Sequence, residues 1–349
     1  MSIKTDLMKY AGSIQQAAYA RPFMYSEGRS SGLKAFDVKN GKMSFRVLAD
    51  KCLDVSEFSY AGINMSFLSK PGLQGLGHYD TNGAEAQRSI MCGFFFTAGL
   101  ETIGAPCNVK GVDYPMHGRI RTTPAEHLSS DTFWKDNEYH IKISGEMREA
   151  MLFGENLVLR RSIETVYGSK SFVLTDEFEN EAFRDEPLML LYHVNLGYPF
   201  LDENVKFYIP TKKITPRNSD AEGHEAGYDR MDAPKDNEPE YVFIHDIKSD
   251  NNGDSETIAV NPVLNLGLRI SWNTKNLPHF MEWKSTASGD YVVGLEPANS
   301  IVHGRAWYED KGGPHMLAPF AKEKNVLTFT VLDGEKEINE AVSAFVKKY

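Results

Sequence analysis

The sequence predicts an all-β protein, a large antiparallel β-sandwich with a few short helices. Three observations carry this. Apolar residues recur with a period of two along most of the chain, as in a strand with one buried face. Gly, Pro, Asn and Asp separate many of these runs, in stretches such as "GSK", "NNGD" and "LDGE". Few helical stretches lie between the runs, which favours antiparallel layers over an alternating α/β sheet.

The elements follow in order. A short helix is expected near Thr5–Gln16, with Thr5 or Asp6 as its cap. In "KMSFRVLAD", Met43, Phe45, Val47 and Ala49 fall on one strand face. Ile141, Ile143 and Met147 do the same in "EYHIKISGEM", as do Leu264, Leu266, Leu268 and Ile270 in "LNLGLRISW". Further strands are expected over 157–166, 172–178, 188–196, 205–209, 241–247, 291–296 and 326–331. Segment 217–240, polar throughout, reads as a long loop, either a linker or an excursion beside an active site. The tail "EINEAVSAFVKKY" places Ile338, Ala341, Val342, Phe345 and Val346 at helical spacing, with lysines in its last turn. With no boundary strong enough to cut the chain, residues 1–349 are read as one sandwich domain and 1–35 as an extension packed on it.

Composition narrows the function. A net charge of −10 argues against nucleic acid or an anionic membrane as partner, since both call for a basic surface. Cys52, Cys92 and Cys107 are too few and scattered for a disulfide framework or a closed zinc site, and are expected as reduced thiols. The N-terminal residues lack the apolar run of a signal peptide, and apolar stretches such as "LMLLYHVNLGYPF" are too short to span a bilayer. The expected compartment is the cytoplasm. No His-Glu-x-x-His pair, phosphate-binding glycine loop or nucleophile elbow is present.

What remains is dispersed acid–base chemistry. His193 in "LLYHVNLGYP" alternates onto the face of Met189, Leu191 and Asn195. Glu296 closes the apolar run "YVVGLEPAN", where a carboxylate costs desolvation unless it is paired or used. Either residue, alone, also fits a satisfied core histidine or a salt-bridged strand end. His279, Glu282 and Lys284 in "LPHFMEWKST" are candidates of the same kind, with Glu282 and Lys284 on one face. In "YPMHGRIRTTPAEH", His117 and Arg119 stand close together with no local metal partner.

In order along the chain, "YPMHGRI", "LLYHVNLGYP" and "GDYVVGLEPAN" resemble the aldose 1-epimerase (galactose mutarotase-like) superfamily. "FRVLADKCLDVSEFSYAGINMSFLS" and "FTAGLETIGAPC" look like a divergent branch of it, and the resemblance covers roughly Phe45 to Val331. It implies a large sandwich with a sugar cleft on one sheet, and carries roles onto matching residues. His117 would help hold the sugar, His193 would be the general acid on the ring oxygen, and Glu296 the base at the anomeric hydroxyl. Arg46, Arg119 and Glu282 are candidates for the remaining sugar contacts, with Asn195 and His279 beside them. Phe94, Tyr192, Tyr198 and Trp283 could stack on a sugar ring.

The sequence departs from typical galactose mutarotases in two places: Tyr192, not asparagine, precedes His193, and Arg119 follows His117–Gly118. In having an arginine near the first histidine, the sequence resembles the branch that acts on sugar phosphates. The expected partner is thus a small carbohydrate, with a homodimer left open, and the reaction requires no cofactor and no metal. Two rivals stay in view. One is a non-catalytic sugar-binding or regulatory protein; the other is an isomerase or lyase for an unusual sugar, sugar phosphate or sugar acid.

Overall fold

A computed structural model describes residues 3–75, 77, 83–89 and 93–349. Cys92 lies outside the described residues, while Cys52 and Cys107 are free thiols. Three sheets dominate, all antiparallel: one of five strands near the N-terminus, one of eight and one of six. The predicted period of two is what builds them. Met43, Phe45, Val47 and Ala49 are all buried, as are Ile141, Ile143, Met147, Leu266, Leu268 and Ile270. One apolar core joins the inner faces of the three sheets.

Aromatic contacts cross the layer. From the eight-stranded sheet, Phe172 stacks on Phe45 of the five-stranded sheet at 5.1 Å. On the same side of the core, Trp272 stacks on Phe280 of the six-stranded sheet at 5.4 Å. Such offset ring pairs add to the burial of the rings themselves.

The chain's ends are tied into this frame. Ala18–Met24 is a strand paired with Lys34–Asn40, so the N-terminal region forms one edge of the five-stranded sheet. The expected first helix is shorter than its pattern suggested. It runs Ile3–Tyr10 and is followed by a separate 3₁₀ turn at Ile14–Gln16, capped by Ser13. Gly12 lies between the two pieces, a residue whose backbone freedom disfavours helix. The C-terminal helix, Glu335–Lys348, packs Ile338 and Phe345 against Ile258 and Leu332.

The six-stranded sheet carries the candidate site. Its strands in chain order are β1 (Phe95–Leu100), β2 (Met189–Leu196), β3 (Thr211–Pro216), β4 (Tyr241–Ile247), β5 (His279–Ala287) and β6 (Asp290–Ala298). They lie side by side as β3-β4-β5-β6-β2-β1. Both faces are largely buried, which is why β2 reads as an unbroken apolar run. Leu190, Tyr192, Val194 and Leu196 enter the main core. Met189 and Leu191 point the other way, into a smaller cluster with Ala98, Val242, Met281 and Val302. Segment 217–240 connects β3 to β4 and contains a 3₁₀ turn at Glu225–Gly227.

Candidate active site

His193 and Glu296 sit on neighbouring strands β2 and β6. The pairings Leu191 with Ala298 and Val194 with Leu295 place the two directly across from each other, on the face away from the main core. Directly opposed residues are the closest side-chain neighbours a sheet provides. His193 Nε2 comes within 3.0 Å of Glu296 Oε1, and both side chains are almost wholly buried. The oxygen lies off the hydrogen-bonding direction and has no hydrogen-bond partner among the described residues. Gly294, two residues before the glutamate, makes room for the pair. A Cβ there would lie 2.5 Å from Glu296 Oε1 and 3.0 Å from His193 Cε1.

Asn195 fixes the histidine. Its Nδ2 donates to the carbonyl oxygens of Gly93 at 3.1 Å and His193 at 3.2 Å, which turns Oδ1 toward the imidazole. His193 Nδ1 therefore donates to Asn195 Oδ1 at 2.6 Å. In the neutral ring the lone pair is then on Nε2, the nitrogen that faces Glu296. Phe96 stacks on the imidazole at 4.5 Å, and Trp283 meets it edge-on at 5.4 Å. The ring is thus held by one polar and two aromatic contacts.

Burial sets the charges. Desolvation lowers the His193 pKa to about 3, against the opposing pull of the Asn195 hydrogen bond. It raises Glu296 well above the usual carboxyl range, with Glu240 adding to the shift and Arg217 opposing it. The pair therefore rests uncharged, with its proton on the carboxyl. A carboxylate facing an imidazolium, the state the roles implied from sequence require, is reached when that proton crosses to Nε2.

His117 arrives from outside the sheet. It adopts a left-handed backbone (φ 56°) and is followed by Gly118 at φ 74°. A Cβ on Gly118 would lie 1.8 Å from the Gly99 carbonyl oxygen, so only glycine allows this approach to β1. His117 N–H donates to Gly104 O at 2.9 Å, and its ring meets that of His193 edge-on at 5.7 Å. Desolvation, then the proximity of His193, holds its pKa well below the ordinary histidine value.

These residues share a cavity of about 570 Å³, which His117, His193, Trp283 and Glu296 all line. The volume falls in the range of small-molecule sites. Both ends of the 217–240 segment reach it, through Arg217 at one end and Glu238 and Glu240 at the other. The Trp283 indole donates to Glu240 Oε2 at 2.7 Å. Among the described residues, no group of three or more His, Cys, Asp or Glu is placed to hold a metal ion.

Other sequence candidates fall elsewhere. Arg119 does not line the cavity; it turns to Glu101 at 3.0 Å and the Asp113 carbonyl oxygen at 3.0 Å. Arg46 belongs to the five-stranded sheet, where it pairs with Glu57 and lies 3.9 Å from Asp37. Glu282 does share a strand face with Lys284, but on the opposite side of β5 from Trp283, buried against His245 at 3.3 Å. His279 begins β5 beyond the cavity lining. Of the aromatic candidates only Trp283 lines the cavity. Phe94 and Tyr192 lie in the main core and Tyr198 is exposed. Sequence reasoning did not single out Arg217, Glu238 or Glu240, because a polar segment has no periodicity to orient its residues.

Residues 30–331 match the model of a family described as a domain of unknown function, DUF4432. The chain belongs to this family. No curated protein matches the sequence. Among solved structures, a "putative aldose 1-epimerase" from Klebsiella pneumoniae superimposes with a TM-score of 0.89 at 22% identity, covering 95% of this chain and 92% of that one. A galactose mutarotase-like protein from Clostridium acetobutylicum gives 0.66 at 14% identity, over 91% and 99% of the two chains. A galactose 1-epimerase from Lactobacillus acidophilus gives 0.54 at 12%, over 91% and 100%. This DUF4432 chain therefore has the galactose mutarotase-like fold, the architecture its motifs implied. No helix among its described residues is long and apolar enough to cross a membrane.

Proposed function

We propose that the protein is a carbohydrate epimerase, most simply an aldose 1-epimerase that interconverts α and β anomers by opening and closing the sugar ring. One observation carries the reading: an acid–base pair, His193 and Glu296, stands 3.0 Å apart in the wall of a sugar-sized cavity. The fold neighbours that bear epimerase and mutarotase names support it as well.

The geometry suits the chemistry. Opening a hemiacetal takes a proton from the anomeric hydroxyl and delivers one to the ring oxygen, and both oxygens are bonded to the same carbon. The two protein groups that serve them must therefore stand close together, as this pair does. With the shared proton on His193 Nε2, the imidazolium protonates the ring oxygen while the Glu296 carboxylate takes the hydroxyl proton. The C1–O5 bond breaks as the C1 carbonyl forms. Rotation about C1–C2 presents the other carbonyl face, and the pair, its proton now exchanged, closes the ring by the reverse transfers. Positioned acid–base groups of this kind contribute about 10²–10⁴-fold each. Asn195 stabilises the imidazolium by accepting from Nδ1, and His117 and Trp283 hold the sugar against the pair.

Saturation-transfer NMR between the anomers of a panel of aldoses tests the reading. Exchange faster than the buffer-catalysed rate is expected for at least one sugar. Buffer-rate exchange across the panel would overturn it. Deuterium uptake at carbon in D₂O would instead assign an isomerase that moves a carbon-bound proton.

A further inference from the structure

Among the described residues, every charged side chain on the cavity wall except one has a partner. Lys70 pairs with Asp290 at 2.6 Å. Glu238 accepts from the Tyr241 hydroxyl at 2.7 Å and lies 3.6 Å from Lys235. Glu240 accepts from the Trp283 indole. Glu296 faces His193 at 3.0 Å, and the exception is Arg217. Arg217 is half-buried at the end of β3, where its backbone N–H donates to Val242 O at 2.9 Å. Its guanidinium makes no hydrogen bond or ion pair among the described residues, although it lines the cavity. Its charge is nonetheless felt at Glu296 and His117.

A half-buried guanidinium offers five donors in a planar fork that matches carboxylate and phosphate oxygens. Leaving it unpaired forfeits hydrogen bonds that nearby acids could have supplied, yet Glu238 and Glu240 are each engaged by another donor. The site thus keeps one fixed positive charge free, facing the cavity and close to the acid–base pair.

We propose that Arg217 is the recognition group for an anionic substituent on the substrate, so that the sugar this site takes carries a carboxylate or a phosphate. The inference rests on the carbohydrate reading of the cavity, but not on turnover. The acidic group docks on Arg217 while C1 faces His193 and Glu296, which makes Arg217 a specificity determinant with no part in the proton transfers.

The test is calorimetric titration of the full-length protein with glucose, galactose, the two corresponding uronates, their neutral methyl esters and the two 6-phosphates. Wild type is expected to bind a uronate or a 6-phosphate about 10- to 100-fold tighter than its neutral parent or ester. R217Q is expected to erase that preference while binding the neutral sugars unchanged, and R217K to keep part of it. Preference for the uronates identifies a sugar acid; preference for the 6-phosphates identifies a sugar phosphate. Equal binding of acidic and neutral members, or an acid preference that survives in R217Q, would overturn the inference. Should R217Q fail to fold, the wild-type contrast between uronate and methyl ester decides alone. Failure of the epimerase reading looks different: the Arg217-dependent preference would stand without faster anomer exchange.

Discussion

The six-stranded sheet carries two buried His–Glu pairs, one on each face, and they have different environments. On the cavity face His193 and Glu296 approach to 3.0 Å; on the inner face His245 and Glu282 approach to 3.3 Å. Both glutamates are pushed up by desolvation, Glu296 the further, because His245 and Lys284 offset part of the shift at Glu282. The inner pair is roofed by the 217–240 segment. Tyr228 packs edge-on against His245, and Lys284 Nζ donates to the Gly227 carbonyl oxygen at 2.7 Å and to that of Arg230. It ties a loop to a sheet. The outer pair opens onto a cavity and has its imidazole orientation fixed by Asn195. The two pairs thus differ in access and in a defined tautomer, the features on which the proposed role of His193 and Glu296 depends.

Substitutions sharpen that contrast, the largest effect first. H193A should lower anomer exchange by about 10²–10⁴-fold with little change in fold, as read by saturation-transfer NMR and circular dichroism. H245A should do the opposite. It should keep the exchange rate per folded molecule while costing about 1–3 kcal/mol of stability in urea unfolding, because Glu282 loses a buried partner.

Removing the positioning group is expected to have a smaller effect. N195L should reduce kcat about tenfold, the loss of roughly one hydrogen bond's worth of imidazolium stabilisation. It should also abolish the single His193 tautomer that ¹⁵N NMR is expected to show in the wild type. N195D retains an acceptor and should restore the tautomer, which a purely structural role would not require.

Stability against pH separates the pairs more finely. Glu296 keeps its proton in the folded state but ionises near 4.5 once unfolded. Above that pH the unfolded chain binds fewer protons, so this group makes stability fall as pH rises toward its folded pKa. E296Q should remove that decline and show a flatter stability curve between pH 4.5 and neutrality. E282Q should flatten it less. At the small end, R119A should change exchange by less than about twofold, since its part-buried ion pair with Glu101 lies off the cavity.

How much of this was legible in the sequence depends on what kind of signal each residue gave. Alternation placed His193, Asn195, Met189 and Leu191 on one face of β2, and the fold keeps them there. Alternation also put Glu282 and Lys284 together. It could not say which face met the cavity, because β5 is buried on both sides. Arg119 looked equivalent to His117 from its nearness in sequence. The left-handed turn at His117 and Gly118 sends the two side chains apart, and turn geometry of that kind has no period to read. Arg217 was invisible for a related reason. It heads a polar segment whose path is set by long-range ties, such as Lys284 holding the Gly227 and Arg230 carbonyl oxygens.

The most direct test sets the two glutamates side by side. Anomer exchange should be measured by saturation transfer in E296Q and E282Q, each corrected for its folded fraction, on a sugar the wild type turns over. The cavity-face pair predicts that E296Q loses exchange by at least about 10²-fold while E282Q stays within a few-fold of wild type. Comparable loss in both, or full activity in E296Q, would contradict the assignment of His193 and Glu296 as the working pair.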